Sequence, residues 1–170
     1  MKEELDLPCL YNVILDTVTS TYSFTTDNHI EYKIIFIDCT SFFSGSSTAF
    51  EISKVYNINI DKTSYAKAPL DLNVKNTVDS IITHFFRDKE NSLIYVCDTS
   101  DLKHEARQRK FGKWYQDSKQ KIEFIKLDEV IKTEDAIHYT SLIYHTENPF
   151  RSSLETGFYE IVETLNKPSS

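Results

Sequence analysis

The sequence predicts an α+β domain: a mostly antiparallel, twisted sheet of about seven strands with three helices, in the order ββββαβαββα. Three observations carry that expectation. Apolar and β-branched residues alternate with polar ones through most of the chain up to Ile60, apolar residues recur at helical spacing in two later stretches, and short apolar strands are interleaved with those stretches. With 170 residues, 40% of them hydrophobic, the chain is long enough for one well-buried core and short for two. One domain over 1–170 is therefore expected, with loose ends and an ordered core from about residue 10 to 166.

In chain order, Tyr11 to Asp16 and Thr21 to Thr26 read as a hairpin turning at Thr17 to Ser20. Asp27 and Asn28 suit the left-handed backbone of the next turn, after which Ile30, Tyr32, Ile34 and Phe36 line one face of a third strand. Ile35 and Ile37 on its other face predict a strand covered on both sides. The Ser- and Thr-rich loop from Cys39 to Thr48 contains Phe42 and Phe43, read as tucked under the sheet, with an exposed partner-binding knob as the alternative. Phe50, Ile52, Tyr56, Ile58 and Ile60 share a parity that predicts a long fourth strand, bent or bulged at Lys54.

Val74, Val78, Ile81, Ile82, Phe85 and Phe86 then fall on one stripe of an amphipathic helix that Asp71 or Asn73 can cap. Leu93 to Cys97 is a strand, followed by a basic helix from about Asp101 to Ser118 with Thr99 or Ser100 as its cap. Lys121 to Leu127 and Ile137 to Tyr144 read as the last strands. Asn148 and Pro149, or a Ser152-x-x-Glu155 capping box, start a final helix whose buried face is Leu154, Phe158, Ile161, Val162 and Leu165.

Composition narrows the function classes. The amino-terminal MKEELDLPCLY lacks the basic flank and apolar core of a secretion signal, and no later apolar run approaches the ~20 residues of a membrane span. A cytoplasmic protein with no membrane partner is expected. Cys9, Cys39 and Cys97 are odd in number and never spaced as CxxC, which predicts reduced thiols and neither a disulfide framework nor a structural zinc site. A net charge of −7 disfavours nucleic-acid or anionic-membrane binding by the whole surface.

Most catalytic motifs are missing. Gly45, Gly112 and Gly157 are far apart, so neither a Walker loop nor a GxGxxG dinucleotide loop can form. His104-Glu105-Ala106-Arg107-Gln108 approaches HExxH but places Gln108 where the second imidazole should stand, and no metal is expected. Cys97 ends an apolar strand just before a helix, where N–H dipoles and basic neighbours can lower a thiol pKa. It is read first as a small buried residue, and second as a nucleophile with His104 or His138 as base. Asp98 either fixes the strand-to-helix corner or faces a cleft at the strand end.

The charge is segregated. Between Leu102 and Lys121, Lys103, Arg107, Arg109, Lys110, Lys113, Lys119 and Lys121 stand against Glu105 and Asp117, a net of +5 that leaves −12 elsewhere. At helical spacing Arg107, Phe111 and Trp114 share a face, with Lys113 further round. That face either packs on the core with snorkelling stems, or meets an anionic partner. The binding candidates are therefore Cys97, Asp98, Arg107, Arg109, Lys113 and Trp114, with no cofactor implied.

Tyr22-x-Phe24-x-Thr26, the strand ending in Cys97-Asp98, and Arg107-x-Arg109-x-Phe111-x-x-Trp114 together resemble a bacterial domain family of unknown function found mainly in Bacteroidota, over about Tyr11 to Leu165. That family brings no activity with it. The element order, a meander followed by αβαββ, is also similar to GNAT-type N-acyltransferases, in which a glycine-rich turn holds the CoA pyrophosphate on a helix N-terminus. Here the corresponding loop from Lys62 to Asn73 has no glycine, and Asp71 sets a carboxylate there. The expected function is a non-catalytic binding or interaction domain that meets an unknown protein or anionic ligand through the basic aromatic helix. The alternative is a degenerate GNAT-like acyltransferase acting near Cys97 and Asp98, and a nucleic-acid-binding regulator is a third.

Overall fold

The computed structural model describes residues 1–63, 70–98, 112–113, 115–117 and 123–167. Eight strands form one hydrogen-bonded sheet: β1 (Lys2–Leu5), β2 (Val13–Asp16), β3 (Thr21–Thr25), β4 (Glu31–Asp38), β5 (Val55–Lys62), β6 (Ser92–Asp98), β7 (Phe124–Lys132) and β8 (Ile137–His145). Their spatial order is β1-β2-β3-β4-β5-β6-β8-β7. Helices α1 (Leu72–Phe85) and α2 (Arg151–Asn166), with helical residues at 112–113 and 115–117, complete an α+β fold of three helices on a mostly antiparallel sheet. The expected element order holds, with one strand added in front. No described helix is long and apolar enough to cross a membrane.

Backbone contacts divide the chain into two compact units, Met1–Ile37 with Ile58–Arg87, and Asp38–Asn57 with Asp88–Ser170. In the first unit the amino terminus is not loose. Lys2 to Leu5 pair with Asp16 to Val13, and Thr17 donates its N–H to Met1 O at 2.9 Å. Alternation gave no warning, because a strand at a sheet edge needs no apolar face when ladder hydrogen bonds hold it.

Between β3 and β4 the left-handed residue is His29 (φ 59°), one position after the expected Asp27 and Asn28. The turn is closed by the His29 N–H donating to Thr26 O at 2.9 Å and the Thr26 N–H donating to Ile30 O at 3.0 Å, so the positive φ falls at the end of the loop rather than at its centre. Tyr22, Phe24, Ile34 and Phe36 are buried as their parity predicts. On the opposite face Ile35 is half-buried and Ile37 is 49% exposed, so that face of β4 is covered only in part.

Helix α1 closes the first unit's core with Ile81, Ile82 and Phe85, together with Thr77, whose hydroxyl is satisfied by Asn73 O at 2.7 Å. Asp71 is the cap, accepting the Asn73 N–H at 2.9 Å, and it also accepts the Tyr11 hydroxyl at 2.6 Å. These bonds hold the Asp71 carboxyl below its ordinary range and raise Tyr11. Aromatic rings stack through this core, Tyr11 on Phe24 at 5.8 Å and Phe36 on Phe85 at 3.9 Å. Each such ring pair adds about 0.5–1.5 kcal/mol to the burial itself.

In the second unit, β6, β8 and β7 form an antiparallel ladder. One of its faces presents Ile94, Ile131, Leu142 and Tyr144 to Leu154, Phe158 and Val162 of α2. Leu165 is 45% exposed, outside that buried stripe. The helix begins at Arg151, which puts Ser152 inside the first turn and leaves no capping box. Asn148 sets the entry instead. Its Oδ1 accepts the Phe150 N–H at 2.8 Å, while its Nδ2 reaches Glu90 O and Ser92 Oγ at 3.1 and 3.2 Å. Burial, and then the bond that the Tyr144 hydroxyl donates to Glu155, raise the pKa of that phenol.

The Ser- and Thr-rich loop folds into two 3-10 turns, Thr40–Phe43 and Ala49–Glu51. Phe43 is buried as expected, whereas Phe50 lies in the second turn fully exposed rather than in a strand. The predicted break at Lys54 is a left-handed residue (φ 54°) just before β5, and its ammonium pairs with Asp88 at 2.9 Å and Glu90 at 2.6 Å. The loop is held to α2 at Gly157. A Cβ there would meet Thr48 Oγ1 at 2.8 Å and Phe43 Cδ1 and Ile52 Cδ1 at 3.0 Å.

Two measurements follow from this packing. Gly157→Ala should destabilise by about 1–3 kcal/mol through overpacking, outweighing the ~1 kcal/mol that alanine gains over glycine in a helix. Chemical denaturation reads the sign directly. Burial, then Arg87, depress the pKa of His84 below its ordinary 6.5, with Glu3 opposing. The unfolded chain therefore takes up the proton first, and this contribution to stability is present above about pH 6.5 and lost as pH falls through the lower folded value. His84→Gln should flatten the stability–pH slope in that window, measured by denaturation at several pH values.

Candidate functional site

The parallel pair β5 and β6 joins Val55 to Ser92 and Tyr56 to Leu93, and its ladder runs for those two pairs. Ser92 donates its N–H to Lys54 O at 2.9 Å, which fixes the alternation. The N–H and C=O groups of even-numbered β6 residues point toward β5, and those of odd-numbered residues toward β8. Beyond the last pair, the Ile94 carbonyl and both backbone groups of Val96 lie on the side that the ladder no longer uses.

A shallow open groove of about 310 Å³ lies there, lined by Asp38, Cys39, Ser41, Phe42, Asn57, Ile94 and Val96. Ile94 is buried, Phe42 is half-buried, and Val96 is 44% exposed. Its other wall is the first 3-10 turn, which is pinned to the start of β5 at both backbone groups of Val55. Cys39 donates its N–H to Val55 O at 2.8 Å, and Thr40 Oγ1 accepts the Val55 N–H at 3.2 Å. Asp38 Oδ1 accepts the Thr40 N–H at 2.8 Å and so orients the corner. The groove thus offers an apolar floor, a thiol, a carboxylate, a hydroxyl and an amide beside a strip of strand backbone.

Of the residues singled out from sequence, Cys97 and Asp98 end β6, directly after Val96, and pair in register with Tyr139 and His138. Lys113 is an exposed helical residue. Arg107, Arg109 and Trp114, with most of the basic helix and its cap residues, lie outside the described residues. The structure therefore brings the Cys97–Asp98 strand end close in sequence to the groove, and the groove's other wall comes from a loop that sequence reasoning read only for packing. Phe42 carried the one signal, an aromatic side chain in a Ser- and Thr-rich loop. Asp38 and Asn57 gave none, because a polar residue at a strand end is ordinary. Cys39 is a free thiol, half-buried in the groove wall. Among the described residues no cluster of His, Cys, Asp and Glu is arranged to hold a metal ion.

A family model described as a family of unknown function (DUF6169) matches residues 70–160, more than half of the chain. The match takes in α1, β6, β7, β8 and the start of α2. No curated protein matches the sequence.

The two apolar residues from β6 should respond differently to truncation. Ile94→Ala should cost about 2–5 kcal/mol, as expected for a buried side chain in a packed core. Val96→Thr should stay within about 0.5 kcal/mol of the parent. Equal losses in urea denaturation would show that the groove wall is part of the core.

Proposed function

This chain belongs to the family of unknown function DUF6169, and we propose that it is a binding domain that takes an extended, amide-bearing ligand into the groove beside β6. The observation that carries this reading is the two-pair parallel ladder. Past it, among the described residues, the Ile94 carbonyl and the Val96 N–H and carbonyl face the side where the ladder has stopped, which is where an added strand-like segment would bond, with Ile94, Val96 and Phe42 to receive apolar groups. Strand addition of this kind draws affinity from main-chain bonds and selectivity from the side-chain pockets. The anionic partner expected from sequence fits the same ligand class.

A second reading is a GNAT-like acyltransferase working near Cys97 and Asp98. It is favoured by the strand order, in which a parallel pair connected through a helix opens beside the groove. The chemistry would need a thioester ligand, and the glycine-free loop before α1 weighs against a pyrophosphate held in the usual way. A cytoplasmic, bacterial setting is consistent with both readings.

Thermal-shift titration with pantetheine, CoA and acetyl-CoA separates them. A ligand at 100 times its dissociation constant adds about 2.7 kcal/mol of stability. Binding should be seen with at least one of these amide-bearing probes, and Val96→Trp, which fills the groove, should abolish it while leaving the unliganded melting temperature close to the parent. No shift with any probe sinks the binding reading. Acetyl transfer to an amine acceptor that is lost in Cys97→Ala or Asp98→Asn would replace it with the enzyme reading.

A further inference from the structure

One buried polar group of the second unit lacks a bonding partner, and its place in the sheet ties it to the groove. Thr140, on β8, is 1% exposed, and among the described residues its Oγ1 meets no hydrogen-bonding atom. Burying a hydroxyl without a partner opposes folding, and a native chain that keeps such a group calls for an explanation. The ladder does not require it, because valine has the same shape and also favours strands.

The strand register gives the face on which Thr140 stands. Between β6 and β8, Ile94 is directly opposite Leu142 and Val96 is directly opposite Thr140. Directly opposite residues of an antiparallel pair share a face and hold their Cβ atoms about 4.5–5.5 Å apart. Ile94 and Leu142 belong to the core that α2 covers, so Val96 and Thr140 stand on that same face, two residues along. Val96 is half-exposed and lines the groove. Thr140 is therefore its neighbour one strand further in, and Glu129, opposite Thr140 on β7, does not bond the hydroxyl.

A second polar group flanks the same floor from the other side. Asn57 lines the groove from β5. Val55 packs in the core with Ile94 and Leu142, and alternation sets Asn57, two residues on, on that face as well. Its carboxamide is half-buried and bonds to no described residue. Across this face the side chains run from polar Asn57 through apolar Ile94 and Val96 to polar Thr140.

We propose that Thr140 and Asn57 select the ligand by bonding one uncharged amide of it over Val96. The Thr140 hydroxyl donates to the amide carbonyl and the Asn57 carboxamide takes the amide N–H. The assignment rests on the reading of the groove as a binding site, and adds the side chains that discriminate between ligands. A hydrocarbon group in this place would leave both side chains unbonded. A carboxylate has no N–H for Asn57 and would meet the like charge of Asp38, which also lines the groove. A site built to bond a polar group rejects analogues that lack it, because its own groups are then left unpaired.

The test combines titration calorimetry with urea denaturation of the unliganded proteins. The probe is whichever of pantetheine, CoA and acetyl-CoA binds the parent most tightly, since all three carry the same two amides. Thr140→Val should weaken binding about tenfold and leave the free chain at least as stable as the parent, because it removes an unbonded hydroxyl and keeps the shape. Thr140→Ser keeps the hydroxyl and should bind within about threefold of the parent, whereas Asn57→Ala should weaken binding about fivefold. Parent-like binding by Thr140→Val overturns the assignment and leaves the groove reading standing. A Thr140→Val chain less stable than the parent also overturns it, since the hydroxyl would then have a partner in the free protein. Absence of binding by the parent overturns the groove reading and the assignment together.

Discussion

The constraint on which the rest depends is the parallel pairing of β5 with β6. Antiparallel neighbours can be joined by a turn, but parallel neighbours need a crossover, and here α1 lies on the connection between them. The pairing lasts two residue pairs, whereas β6 keeps its partner β8 over its whole length. One side of β6 is thereby paired along its length, and on the other, among the described residues, the ladder stops after two pairs. The groove, its apolar floor and the proposed mode of binding all follow from that asymmetry.

Side-chain hydrogen bonds tie the loops of the second unit to α2 and its entry. Asn148 ties the entry of α2 to Glu90 and Ser92. Glu160 accepts both the N–H and the hydroxyl of Ser47, at 2.7 and 2.6 Å, which holds its carboxyl below the usual range and holds the loop against α2. Thr48 donates to Ser153 O at 2.8 Å beside Gly157. The loop that walls the groove is therefore positioned by polar contacts to a helix more than a hundred residues further along the chain, and by one glycine that lets the two surfaces approach.

The strands and helices that bury one face were legible, since Ile34 with Phe36, Ile81 with Phe85 and Leu154 with Phe158 each declare a period that only one kind of element satisfies. The cap at Asp71 and the break at Lys54 were also legible, because local chemistry decides them. Misreadings fell where the period was absent or misleading. β1 has the alternation of neither a strand nor a helix, and it forms because β2 offers it a ladder. Phe50 has the parity of a strand and sits on a 3-10 turn, because Glu51 and the residues before it are drawn toward α2, where Ser153 bonds Glu51.

The sequence by itself determined the α+β class, the order of elements after β1, most of the buried stripes of α1 and α2 and the segregation of positive charge. All of these are properties of residues near one another in the chain. Only the tertiary structure decided that β5 and β6 are parallel partners for two pairs, that Asp38 to Phe42 stand beside Ile94 and Val96, and that Asn166 bonds Val130 of β7. The physical reason is that each of these joins distant segments through single hydrogen bonds or a few side-chain contacts. Such contacts leave no period in the sequence, and they exist only once the sheet has set the distances between its strands.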